Sequence, residues 1–206
     1  MKRVACALVL PLILAAGCAA TQSPKTNFYM LSVEGEPAPS RGDAAGGAVV
    51  RVSVLRAAVP GVVDRPQIVA RIAPNRVEIY DFHRWVEPLQ EAIPRVVAGN
   101  LARQLGPRYT VVAGVMPGLP PDVRVSVDVQ RFEAAMDGGV TIEALWSVRP
   151  TAGEALAGRA VIDERATEGG HTGIVAAYSR ALAALARNIA DGVASESVSR
   201  STGSRP

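Results

Sequence analysis

From Val123 to Val129 every second residue is a valine: Val123, Val125, Val127 and Val129 alternate with Arg124, Ser126, Asp128 and then Gln130. Only an extended chain, whose side chains point alternately to opposite faces, separates these two sets, so residues 122–133 predict a strand with one buried and one wet face. Asp137, Gly138 and Gly139 follow as a turn, and Val140, Ile142, Ala144, Trp146 and Val148 resume the alternation over residues 140–149. Two such strands in tandem make an antiparallel hairpin, and residues 157–165 add a third strand to the meander. A sheet with one apolar face has to be covered. Two helical patterns supply the cover. Leu89, Ile93, Val96, Val97, Leu101 and Leu105 recur at helical spacing over residues 87–105, until Gly106 and Pro107 stop them. Ile174, Tyr178, Ala181, Leu182, Leu185, Ile189 and Val193 do the same over residues 172–194. Pro94, inside the first pattern, removes a backbone donor and is expected to kink or restart that helix.

Further strands are predicted at residues 27–33, 48–55, 67–73, 76–82 and 109–113, with Pro74 and Asn75 turning the third into the fourth. Gly- and Pro-rich loops are expected at 35–47 and 116–121. Strands, helix, strands, helix is the order of a single α+β domain over residues 27–194, a mostly antiparallel β-sheet with two main helices packed on one face. Residues 195–206, rich in Ser, Thr, Gly and Arg, predict a disordered tail.

At 49% hydrophobic and 20% charged, the 206 residues bury a core, which excludes a disordered basic arm. Arginines are scattered and aromatics are 4% of the chain, so no nucleic-acid partner is expected. Phosphate loops, dinucleotide fingerprints, nucleophile elbows and zinc-protease helices are absent from the sequence, and no catalytic residue is assigned. Asp64 with Glu87, or Asp81 with Glu87, could be drawn as an acid/base pair, but solvated or Arg-paired carboxylates are the simpler account. His83 and His171 are expected at the surface or in a cap, and no metal site is predicted.

Lys2 and Arg3 precede residues 4–16, an uncharged apolar run too short to span a bilayer, which takes about 20 residues. Residues 1–17 therefore predict a cleaved signal peptide. Leu14, Ala15, Ala16, Gly17 and Cys18 resemble the lipobox of bacterial lipoproteins. That resemblance implies a diacylglyceryl thioether and a fatty acyl group such as palmitate on Cys18, and residues 18–26 as a lipidated tether. An ordinary signal peptide leaving a free Cys18 thiol is the alternative. With Ala19 and not Asp after Cys18, the same resemblance implies sorting to the periplasmic face of the outer membrane. Cleavage removes Lys2 and Arg3, so the formal charge of +3 falls, and with it the argument for an acidic partner.

Two segments carry more local information than a sheet needs. In Val63, Asp64, Arg65, Pro66, Gln67, Ile68, Val69, the proline fixes a strand entrance and presents Asp64 and Arg65 rigidly. In Arg84, Trp85, Val86, Glu87, Pro88, Leu89, an aromatic leads into a helix whose first turn is expected to carry Glu87, with Pro88 at the first helical position. With Tyr29, Met30 and Leu31, and with Asn100 and Leu101, these segments resemble the ABC-type transport auxiliary lipoproteins, the family of paraquat-inducible protein C. Val62 and Val63 stand where many members have Tyr-Leu, and Val86 where Ala is frequent. The resemblance implies a non-enzymatic outer-membrane lipoprotein that serves membrane integrity in a lipid transport system. Its partners would be an ABC permease and ATPase and an MCE-domain protein, with a possible homo-oligomer, and the covalent lipid on Cys18 would take the place of a cofactor. Pro66, Trp85 and Pro88 have a structural account as strand entry, core aromatic and helix start, while Asp64, Arg65, Arg84 and Glu87 are the candidate docking residues. The rival readings are a structural outer-membrane assembly lipoprotein and a lipid-anchored hydrolase.

Overall fold

The computed structural model describes residues 24–34, 48–135 and 137–203, with side chains as far as Ala194. The predicted signal peptide, Cys18, most of the tether and the 35–47 loop lie outside the described residues. In chain order the elements are β1 (Asn27–Tyr29), β2 (Val50–Val54), β3 (Gln67–Ala73), β4 (Arg76–Trp85), α1 (Leu89–Leu105), β5 (Tyr109–Ala113), β6 (Val123–Ala134), β7 (Gly139–Pro150), β8 (Leu156–Arg165) and α2 (Gly170–Gly203). They build one α+β domain.

The strands divide into two sheets, ordered β5-β2-β6-β7-β8 and β1-β4-β3. The valine alternation dictates the first: β6, β7 and β8 form the antiparallel meander, and Val123, Val125, Val127, Val129, Val140, Ile142, Ala144 and Val148 are all buried. Gly138, at φ +82°, closes the hairpin, and its amide donates to the Ala135 carbonyl at 3.0 Å. β2 lies inside this sheet, parallel to both β5 and β6, and buries Val52, Ser53 and Val54 in succession. Such burial on both faces is what a central parallel strand requires. The second sheet is separate because β3 forms no ladder with β6: an isolated bridge joins Arg71 to Ala135, the residue after β6. An ion pair between Arg71 and Glu133 closes the same junction.

Both helices pack against the five-stranded sheet and against each other. α1 is one helix in spite of Pro94. The proline leaves the Gln90 carbonyl without its intrahelical donor, and the Ala57 amide takes that place at 3.2 Å. The helix begins at Leu89, so Pro88 is its N-cap and Glu87 precedes it. The Pro88 carbonyl, held in extended geometry at ψ 136°, accepts from the Glu91 and Ala92 amides.

α2 runs to Gly203, well beyond the predicted end at 194 and through most of the predicted disordered tail. Residues 195–202 contain neither Gly nor Pro, so nothing in the backbone chemistry stops a helix there. Among the described residues no helix is long and apolar enough to cross a membrane.

Trp85 is buried against Phe132 and Tyr178, which stack on one another at 3.9 Å, and so ties the smaller sheet to β6 and α2. Trp146 occupies space left by two glycines. A Cβ on its cross-strand partner Gly158 would lie 2.5 Å from Trp146 Cζ2, and one on Gly192 of α2 would lie 3.2 Å from Cζ3.

Candidate functional site

The segment after β1 crosses both helices as a strap. Leu31 is buried, its carbonyl accepts from Arg95 Nη2 at 3.1 Å, and the Ser32 amide donates to Ser179 Oγ at 3.1 Å. The Glu34 amide donates to Asn100 Oδ1 at 3.1 Å. Asn100 and Ser179 are wholly buried, and their remaining donors go to the carbonyls of Val96 and Val175, each at 3.0 Å. Backbone polar groups of an irregular segment need partners once buried, and these two side chains supply them. Val33 lies down on α1 because position 99 is glycine: a Cβ there would come within 2.5 Å of Val33 Cγ2. The segment that follows β1 is thus fastened to the helix pair.

The two motif segments converge at the open end of β4. Asp64, Arg65, Pro66, Trp85, Val86, Glu87 and Pro88 line a cleft of about 350 Å³. A tight turn in which the amides of Val63 and Asp64 both donate to the Pro60 carbonyl presents Asp64 and Arg65. Pro66 sets the strand entrance, and its carbonyl accepts from the Trp85 amide at 2.7 Å. Both carboxylates of the cleft have internal partners. Gln90 Nε2 donates to Asp64 Oδ2 at 2.7 Å, and the Arg95 guanidinium clamps Glu87, with Nε at 3.0 Å from Oε1. Arg65 Nε is buried without a hydrogen-bond partner. Arg84, the fourth candidate docking residue, is not on the cleft; its Nε donates to the Asp81 carbonyl at 2.9 Å. Among the described residues no group of three His, Cys, Asp or Glu side chains could hold a metal ion.

One cluster has no precedent in the sequence pattern. His83 and His171, 88 positions apart and the only histidines in the chain, stack at 3.7 Å with 16° between their planes. Tyr29 and His83 Nδ1 share a hydrogen bond of 2.7 Å, and Tyr80 meets His171 edge-on at 4.4 Å. Burial, and next the neighbouring His83, hold the His171 imidazole below its ordinary pKa, with Glu78 opposing them. Tyr80 and His171 also line a cavity of about 490 Å³ at the start of α2. The stack fastens the smaller sheet to α2, a role that only the folded topology creates.

The family model for ABC-type transport auxiliary lipoprotein components matches residues 29–190, a span that holds the strap, the cleft and the histidine pair. Two crystal structures share the fold, each with a TM-score of 0.66. One, of an uncharacterised protein, is 19% identical and covers 82% of this chain and 99% of its own. The other, a Xanthomonas campestris protein assigned to the family DUF330, is 17% identical and covers 85% of this chain and 99% of its own. No curated protein matches the chain.

Proposed function

Since the chain belongs to the family of ABC-type transport auxiliary lipoprotein components, we propose that it is the membrane-anchored periplasmic adaptor of an ABC/MCE-type system moving lipid or other hydrophobic molecules between membranes. The family is one of auxiliary transport components and not of enzymes. In this reading Cys18 carries the acyl groups on the inner leaflet of the outer membrane, without any further cofactor. Each buried methylene contributes about 0.8 kcal/mol, so several acyl chains hold the domain there essentially permanently. Residues 18–26 form the tether, and the strap at 31–34 transmits its pull to both helices.

The observation that carries the reading is the family match over residues 29–190, which spans nearly all of the described domain. The fixed strap adds a mechanical rationale: a domain clamped close to its anchor is suited to receiving another component at a defined height above the membrane. The cleft lined by Asp64, Arg65 and Glu87 is proposed as the receiving surface, with Pro66, Trp85 and Pro88 as its rigid frame. Asp64 and Glu87 shape it through Gln90 and Arg95, which leaves Arg65 as the group that greets a partner. The partner is proposed to be the MCE-domain protein, with the permease and ATPase beyond it, and a ring of identical copies would multiply such contacts.

Replacing Cys18 with Ser tests the anchor. The expected result is loss of the protein from outer-membrane fractions, with an unprocessed or soluble form in its place. Retention on the outer membrane would overturn the lipoprotein assignment. A structural role in outer-membrane assembly predicts barrel proteins as partners instead. A hydrolase predicts activity that disappears on substitution of Asp64 or Glu87.

A further inference from the structure

The outer surface of the smaller sheet is apolar where a free domain would be polar. β1 pairs with β4 in parallel register, Phe28 beside Arg84 and Tyr29 beside Trp85, and the Val86 amide extends the pairing by donating to the Tyr29 carbonyl at 2.9 Å. Side chains alternate along a strand, so Tyr29 and Trp85 face the core while Phe28, Met30, Arg84 and Val86 face outward. Phe82, two residues before Arg84, joins them. Phe28 is 65% exposed, Met30 59%, Val86 56% and Phe82 43%. Four large apolar side chains around one arginine form a grouped patch, and grouped patches mark contact surfaces where single exposed residues do not.

The occupant is argued from the chain that leads into the patch. Phe28 is ten residues after Cys18, and ten residues reach at most about 35 Å when fully extended. From Leu31 onward the chain is fixed to the helices, so the face on which β1 lies cannot turn far from an anchor at Cys18. The chemistry of the patch matches a phospholipid interface. Aromatic and aliphatic side chains enter the acyl boundary, while a guanidinium at their centre suits lipid phosphate, and the exposed Lys25 precedes them on the tether. We infer that the outer face of β1 and β4, with Phe28, Met30, Phe82 and Val86 around Arg84, rests in the headgroup region of the membrane bilayer and fixes the orientation of the domain on it. The inference depends on lipidation of Cys18. It gives Arg84 a contact separate from the cleft, which then opens at the rim of the membrane-bound face.

The test uses the full-length lipidated protein in phosphatidylethanolamine/phosphatidylglycerol vesicles, comparing Phe28→Trp with Leu145→Trp on the far sheet. The emission of Trp85 and Trp146 is subtracted with the unmodified protein. The added indole at position 28 is expected to lose most of its emission to brominated acyl chains and little to aqueous iodide, while that at position 145 responds only to iodide. Vesicle-bound protein whose indole at position 28 is quenched by iodide overturns the inference, because the patch is then in water. Quenching by neither agent overturns it as well, because a second copy or another protein then covers the face. Protein that does not pellet with the vesicles overturns the Cys18 anchor, and with it this inference.

Discussion

Asn100 is the residue on which the strap depends most. Its amide group closes one bond within α1 and one to Glu34, and it is fully buried. Asn100→Ala leaves the half-buried Glu34 amide without its acceptor, which costs about 1 kcal/mol. The expected outcome is a lower urea midpoint together with faster proteolysis at residues 30–34; an unchanged midpoint would remove the strap from the account. The histidine stack gives a pH dependence of definite sign. Because the His171 pKa is lowered in the folded state, the unfolded chain binds more protons over the window just below the ordinary imidazole value of about 6.5. Stability should therefore fall as pH drops through that window and level off beneath the lowered pKa. His171→Phe, which keeps a ring for Tyr80 and His83 to pack on, is expected to lose less melting temperature than the unmodified protein between about pH 7 and about pH 5. Parallel losses in the two proteins would contradict this assignment.

At the scale of elements, the two glycines beside Trp146 make a prediction about how the sheet meets α2. Gly158→Val places a branched side chain where the indole lies. Overpacking of this kind costs about 1–3 kcal/mol, to be read as a lower denaturation midpoint and altered tryptophan emission. The same change with neither effect would mean that the indole has other space to occupy. The meander and both helices were legible because period-two and helical patterns persist over many residues, as in Val123 to Val129 and Ile174 to Val193. Parallel pairing of β2 with β5 and β6 was not legible, since neighbours in a parallel sheet are distant in sequence and periodicity records only local geometry. The run of α2 past residue 194 was hidden for another reason: serine-rich composition does not separate a polar helix from a loose tail. Of the four proposed docking residues, motif spacing brought Asp64, Arg65 and Glu87 to one cleft, but alternation along β4 turns Arg84 to the outer face. The pairing of His83 with His171 lay beyond any local pattern.

For the whole molecule, the anchor, the strap, the apolar face and the cleft form one arrangement. In the proposed arrangement lipid on Cys18 would hold the chain, the strap would pass the load to α1 and α2, the outer face of the smaller sheet would lie toward the bilayer, and the cleft would stay open to a partner. Arg65 is the residue whose change should separate docking from folding, because its side chain lines the cleft and its Nε closes no hydrogen bond within the fold. The most direct measurement is recovery of the lipidated protein from membranes in mild detergent, with identification of what accompanies it, for the unmodified chain and for Arg65→Glu. The proposed role predicts an MCE-domain protein together with an ABC permease and ATPase beside the unmodified chain, and their loss from Arg65→Glu with circular dichroism unchanged. Recovery of barrel-assembly proteins in their place, or equal recovery of the transport components with both chains, would contradict it.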